Sequence, residues 1–160
     1  MAIKREIDIL ETYCFGHGAN VGCGRVRIGN SLGVDIRDIP NVTDYIADAA
    51  KLPFADGELD YIVSSHCLEH IDRGPVVVLR EWVRCVRQGG VIALIVPDAV
   101  YGIGALKIDT TIPGEHLHLF TQETLKIYFE FVGLDIQRCQ QIIRAPERPQ
   151  PTIICVGIKN

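Results

Sequence analysis

Ala19-Asn20-Val21-Gly22-Cys23-Gly24 is the stretch on which the fold turns. A short apolar run ending in Gly-x-Gly is how an α/β sheet lets its backbone come close to a ligand, because glycine takes backbone angles and leaves space that a Cβ would deny. Past the second glycine, Asp35 closes another short apolar run, Leu32-Gly33-Val34-Asp35-Ile36. A glycine turn after one strand and an acid at the end of the next make a cradle for a ribose, whose hydroxyls donate to the carboxylate. The ligand this predicts is a nucleoside.

Which nucleoside follows from what the stretch lacks. A dinucleotide site needs Gly-x-Gly-x-x-Gly opening a helix, since the pyrophosphate rests on free N–H groups at that helix's N-terminus. Here the run continues Arg25-Val26-Arg27, without the third glycine, and only Arg25 to Ser31 separate the turn from the second strand. That link is too short for a crossover helix and its turns, which want about 10 to 12 residues. A pyrophosphate would have no seat, whereas a cofactor with adenosine and no phosphate loses little, and S-adenosylmethionine is such a cofactor. By itself Gly-x-Gly fits equally a tight strand-end turn that holds no ligand.

With 160 residues the chain has room for one domain, and 48% apolar with 22% charged residues is the profile of a folded globular protein. The net charge of −4 argues against nucleic acid as a partner, because that affinity rests on many Lys and Arg contacts. The six cysteines, Cys14, Cys23, Cys67, Cys85, Cys139 and Cys155, include no C-x-x-C pair, and several lie in apolar runs. Such scatter suits a reducing cytoplasm. Charges in Met1-Ala2-Ile3-Lys4-Arg5-Glu6-Ile7 stand where a signal peptide has its apolar core, and no apolar run reaches membrane-spanning length. The expected location is cytoplasmic, with no membrane partner.

Along the chain, Ile3, Ile7, Leu10 and Cys14 form the stripe of an amphipathic helix expected to lie across the sheet beside the glycine turn. Further strands are predicted at 44–47 and 59–65, with Asp48-Ala49 following the first and Ser65-His66 ending the second. Asp48 is placed either to accept from the exocyclic amine of an adenine or to cap a helix. Pro75 starts a helix with Val76, Leu79, Val83 and Val86 inward, Trp82 at the border and Gly89-Gly90 as its stop; Arg80, Arg84 and Arg87 read as a solvated face. The aliphatic run Val91 to Val96 is a central strand. Ala99 to Glu115, punctuated by glycine, is expected to be a mobile wall of the site. Thr121 caps a helix with Leu125, Tyr128, Phe129 and Val132 inward, ended by Gly133. Strands over 134–143 and 152–158, joined by a loop over 145–151, finish the chain.

In order and spacing, Asn20-Val21-Gly22-Cys23-Gly24, Val34-Asp35, Asp48-Ala49, Leu52-Pro53-Phe54, Leu59-Asp60-Tyr61-Ile62-Val63, His66-Cys67-Leu68-Glu69-His70, Leu79-Arg80-Glu81-Trp82 and Gly89-Gly90 resemble the class I S-adenosylmethionine-dependent methyltransferases. The likeness is closest to the small bacterial type 11 branch, covers roughly residues 18 to 134, and extends to His116-x-His118-x-Phe120-Thr121. The resemblance implies an α/β, Rossmann-like sheet of seven strands, six parallel and one antiparallel, in a single domain over residues 1–160 with a shortened first crossover. It implies Gly22, Cys23 and Gly24 against the cofactor's methionine portion, Asp35 and Ile36 at the ribose and its surroundings, Asp48 and Ala49 around the adenine, and Ser65 and His66 flooring the pocket. Val26 departs from the family where many members carry a third glycine.

Methyl transfer from a sulfonium asks mainly for alignment, and a base is needed only if the acceptor must lose a proton. His66, His116 and His118 are the catalytic candidates, since an imidazole can take protons near neutral pH; His70 reads as a surface or supporting histidine. Two imidazoles spaced as His116 and His118 would share a face of a strand and could bind a metal with Cys67 or His70, but spacing alone does not establish one and no metal is assigned. The expected function is methyl transfer to a small-molecule or cell-surface-precursor acceptor, by a chain that can also self-associate. A non-catalytic binding or partner protein of the same fold is the alternative, and a nicotinamide oxidoreductase is disfavoured by the missing pyrophosphate seat.

Overall fold

The computed structural model describes residues 4–99, 116–145 and 148–160. Its centre is a sheet of seven strands: β1 (Gly18–Val21), β2 (Leu32–Asp35), β3 (Tyr45–Ile46), β4 (Leu59–Ser65), β5 (Val86–Pro97), β6 (Leu134–Ala145) and β7 (Arg148–Lys159). They lie in the order β3-β2-β1-β4-β5-β7-β6. All run parallel except β7, which is antiparallel to β5 on one side and β6 on the other. The strands nearest the centre are continuous apolar runs because both their faces are covered. Every residue of β1 is buried, as are most of β4.

Helix α1 (Lys4–Glu11) covers one face, burying Leu10 against Ile28, Tyr61, Val63, Ala93, Ile95 and Ile154. On the other face lie α2 (Pro75–Cys85) and α3 (Gln122–Phe131), over a larger core that includes Val21, Ile62, Leu79, Trp82, Leu94, Leu125 and Phe129. Thr121 caps α3 as expected, its hydroxyl accepting from the Thr124 N–H at 3.2 Å while the Thr124 hydroxyl accepts from the Thr121 N–H. Gly133, at φ +84°, ends the helix in a conformation other residues resist. No helix among the described residues is long and apolar enough to cross a membrane.

The structure corrects the sequence reading in four places. Helix α2 stops at Cys85, because Val86 is β-branched, wholly buried and paired with Leu59 as the first residue of β5. Gly89 and Gly90 therefore sit in a strand, at a bulge where the register jumps from Leu59↔Val86 to Tyr61↔Val91; the Val86 side chain and the Asp60 carbonyl fill the space a Cβ on Gly90 would need. The inward face of α2 is Pro75, Val78, Leu79, Trp82 and Cys85, which puts Trp82 in the core, its indole N–H donating to the Ala49 carbonyl at 2.9 Å. Nor are the arginines merely solvated: Arg84 binds Glu81, Asp56 and the Phe54 carbonyl, Arg87 binds Asp60, and Arg80 lies over the Phe131 ring. Finally, the last two strands extend nearly to each other, leaving only residues 146–147 between them.

Residues 25–31 carry the chain from β1 to β2 without a helix, as their number requires. The predicted mobile wall falls, apart from Ala99, on residues outside those described.

Candidate functional site

A cavity of about 840 Å³ opens at the carboxyl ends of β1, β2 and β4, a size that suits a small molecule. Gly22, Asp35, Ile36, Asp48, Ala49 and His66 all line it, together with His70. Its first wall is the glycine turn. Gly22 has φ +69°, and a Cβ there would run into the Cys67 side chain, so only glycine lets the turn close over β4's end. The N–H groups of Gly22 and Cys23 both donate to the Val34 carbonyl, at 2.8 and 3.1 Å, lashing the turn to β2.

Asp35 is joined to that turn directly. Its Oδ2 accepts from the Gly24 N–H at 2.9 Å, and its Oδ1 accepts from the N–H and Nε of Arg37 at 3.0 and 3.1 Å. Burial opposes the charge, but these donors and the guanidinium outweigh it and hold the carboxyl below its ordinary value of 3.8, so Asp35 is an anion at neutral pH. A carboxylate offers about four acceptor sites. Gly24 and Arg37 occupy three of them, and the Arg37 side chain is two-thirds exposed.

At the neighbouring wall Asp48 serves a turn rather than a helix cap: Oδ1 accepts from the Ala50 N–H at 2.8 Å, while Oδ2 lies 3.7 Å from Arg73. Ile36 projects into solvent over the cavity rim, 72% exposed, and Ala49 is pinned from beneath by Trp82. Three expected site residues do not line the cavity. Cys23 turns its thiol toward Thr43, Gly24 contributes its N–H to Asp35, and the buried hydroxyl of Ser65 has no hydrogen-bond partner among the described residues.

The far wall is made differently. His66, at φ +53°, leaves the end of β4 with its ring nearly buried, Nε2 3.1 Å from Glu6 Oε1 and Nδ1 3.3 Å from Glu69 Oε1. Burial pushes the imidazole's pKa down, but the Glu6 hydrogen bond and the Glu69 contact prevail and hold it above 6.5. With a carboxylate at each nitrogen, both ring nitrogens are engaged within the protein. Glu6 is wholly buried and also accepts from the Thr152 hydroxyl. It was missed in the sequence, although a carboxylate one helical turn from Leu10, on the buried face of an amphipathic helix, is a legible signal. Cys67, half-buried, also lines the cavity beside the turn, and desolvation pushes its thiol up to about 12.

His116 and His118 part company rather than sharing a face. His118 Nε2 donates to the Ile71 carbonyl at 2.9 Å, whereas the His116 ring packs on His70 with centroids 4.9 Å apart. Two more hydrogen bonds, from the N–H groups of Leu117 and His118 to the Glu69 carbonyl at 2.7 and 3.1 Å, staple this segment to the 3-10 turn Leu68–His70. His70, half-buried, thus stands between the cavity and His116, a role the sequence reading did not give it.

Comparison with known proteins agrees with this fold. Residues 19–94 match the family model described as a methyltransferase domain, of type 11. Ajmaline N-methyltransferase of Rauvolfia serpentina is 30% identical over 78 residues, which are 49% of this chain and 26% of that protein; the chain spans about a quarter of the length of this curated relative. The fold resembles that of 1,6-didemethyltoxoflavin-N1-methyltransferase from Burkholderia thailandensis, solved with its substrate and S-adenosylhomocysteine, at a TM-score of 0.74 and 16% identity over 98% of this chain and 77% of that one. It also resembles the chain solved in complex with the Haloferax volcanii Trm112 methyltransferase activator, at a TM-score of 0.72 and 14% identity over 94% and 87% of the two chains. With its strand order and its single antiparallel strand, this chain has the fold of class I S-adenosylmethionine-dependent methyltransferases, and its residues 19–94 match the type 11 methyltransferase-domain model.

Proposed function

We propose that this chain is an S-adenosylmethionine-dependent methyltransferase acting on a small-molecule acceptor. The observation that carries the reading is the bonded pair of glycine turn and Asp35 at the mouth of the cavity, an anionic carboxylate with acceptor capacity to spare beside backbone that no larger residue could place there. The cofactor's adenosine would lie over Ile36, Asp48 and Ala49, with its ribose hydroxyls donating to Asp35. When bound, it supplies an activated methyl group on a positively charged sulfur. Gly22 sets how closely that group approaches the end of β4. His66, locked between Glu6 and Glu69, positions the far wall and does not collect a proton.

The acceptor would enter from the side of His70 and His116. The His70–His116 wall would orient its nucleophile in line with the methyl group that the bound donor would supply. Alignment in the cavity is then the main source of acceleration. The Burkholderia relative, a small-molecule N-methyltransferase of the same fold, supports a small acceptor. The reading is tested by incubating the protein with labelled donor and a metabolite extract. Donor-dependent label in a small product, reduced by Asp35→Ala, is expected; tight binding of S-adenosylhomocysteine without transfer to any acceptor would turn the assignment to a non-catalytic binding protein.

A further inference from the structure

Beyond the nucleoside end of the cavity, one cluster of side chains is assembled with a care that methyl transfer does not call for. Glu69, His70 and His116 each bring one ligand atom to a common point, all within 4.8 Å of one another. We propose that these three residues bind a divalent transition-metal ion, of the zinc class, at the His70 wall of the cavity.

The donor set is the first argument. Two imidazoles and one carboxylate suit zinc and its neighbours, and three protein ligands are the usual complement of a site that keeps a position open for an exogenous atom. Glu69 Oε1 already lies 3.8 Å from His70 Nε2, and the two histidine rings are tilted by 59° to each other rather than stacked flat, so their nitrogens can converge.

Glu69 itself supplies the second argument. It is 1% exposed and, apart from the ion-pair contact of Oε1 with His66 Nδ1 at 3.3 Å, neither carboxylate oxygen has a hydrogen-bond partner among the described residues. A buried carboxylate in that condition is costly unless a cation answers it. His66 stands on one side of it. The other side faces the His70–His116 pair, where a metal ion would take the remaining lone pairs.

Third, the cluster is held from outside. The segment bearing His116 is fixed to the turn bearing Glu69 and His70 by the Leu117 and His118 N–H bonds to the Glu69 carbonyl and by His118 Nε2 on the Ile71 carbonyl. None of these bonds uses a proposed ligand atom, so they bring the two ligand-bearing segments together before any ion arrives. Because His70 lines the cavity, an open position on the ion would be offered to an oxygen or nitrogen atom of the acceptor. In that respect the site rests on the methyltransferase reading; as an ion site it does not.

The test uses the whole chain, stripped with a chelator and titrated with Zn2+ by calorimetry, beside a separate titration with S-adenosylhomocysteine. One zinc per chain is expected. Loss of even an outer partner of a metal ligand weakens binding by about 10- to 100-fold, so His70→Ala and His116→Ala should each weaken it by about 100-fold or more. His17→Ala, a histidine outside the cluster, should not change it. Co2+ in place of zinc should give visible d–d absorption that the two ligand variants lose. Absence of stoichiometric zinc binding, or binding unchanged in His70→Ala and His116→Ala, would overturn the site, whatever the nucleoside titration shows. Zinc binding that requires these residues in a chain that ignores S-adenosylhomocysteine would instead uphold the site and remove the methyltransferase reading.

Discussion

The two ends of the cavity are built by opposite means. At the nucleoside end the work is done by backbone: Gly22, Cys23 and Gly24 bond to Val34 and Asp35 on the next strand, across only 11 to 12 residues of chain. At the far end it is done by buried charge drawn from distant segments. Glu6 of α1 reaches His66 across 60 residues, and the Glu69 carbonyl receives Leu117 and His118. One end is fixed by what cannot fit, the other by what cannot be left unpaired. Substitutions at the two ends should therefore fail for different reasons.

The largest loss is expected at the far end. Glu6→Ala removes one of the two carboxylates that enclose the buried His66 and should cost about 3 to 5 kcal/mol of stability, the usual result of breaking a buried pair. Two residues further along the same helix, Asp8 makes an exposed pair with Lys4. Asp8→Ala should cost no more than about 0.5 kcal/mol. Denaturant unfolding of both variants measures the contrast, and comparable losses would mean that the far wall is not held by its charges.

At the nucleoside end, Gly22→Ala puts a Cβ on a left-handed residue and into Cys67. Backbone strain and overpacking together should cost about 2 to 4 kcal/mol. Gly133→Ala has similar strain but meets nothing within 4 Å, and should cost only about 1 to 2 kcal/mol. If thermal unfolding showed the two to be equal, the tight approach of the turn to β4 would not matter.

A smaller effect belongs to Asp35. Its folded-state pKa is depressed, so the stability it contributes is complete above its ordinary value of 3.8 and is lost as pH falls through the lower folded value. Acid unfolding of the wild type should steepen below that point relative to Asp35→Asn. Parallel curves would show that Asp35 is not held as an anion by Gly24 and Arg37.

The contrast also explains what the sequence disclosed. Gly22, Gly24, Asp35 and Asp48 lie at strand ends in a local pattern, and the exclusion of a crossover helix between Gly24 and Leu32 needed only counting. The capped helix after Thr121 was legible for the same reason. Trp82 was misplaced because several apolar stripes can be drawn on α2, and only the packed partner, the Ala49 carbonyl, selects one. The end of α2 was misread because Gly89-Gly90 is a common helix stop, whereas here the pairing of Val86 with Leu59 overrides it. The roles of Glu6, Glu69 and His70 depend on segments that meet only in the folded chain. Their residue types were visible; their partners were not.

The central claim is that the cavity between the glycine turn and Asp35 holds the nucleoside of S-adenosylmethionine, and calorimetric titration with S-adenosylhomocysteine tests it most directly. The wild type should bind one molecule per chain, and Asp35→Ala, shown by its unfolding curve to be folded, should bind more weakly by about 1.5 to 3 kcal/mol, roughly 10- to 150-fold, the worth of a hydrogen bond to a charged group. Binding of equal strength in the folded variant, or no binding by the wild type, would contradict the account.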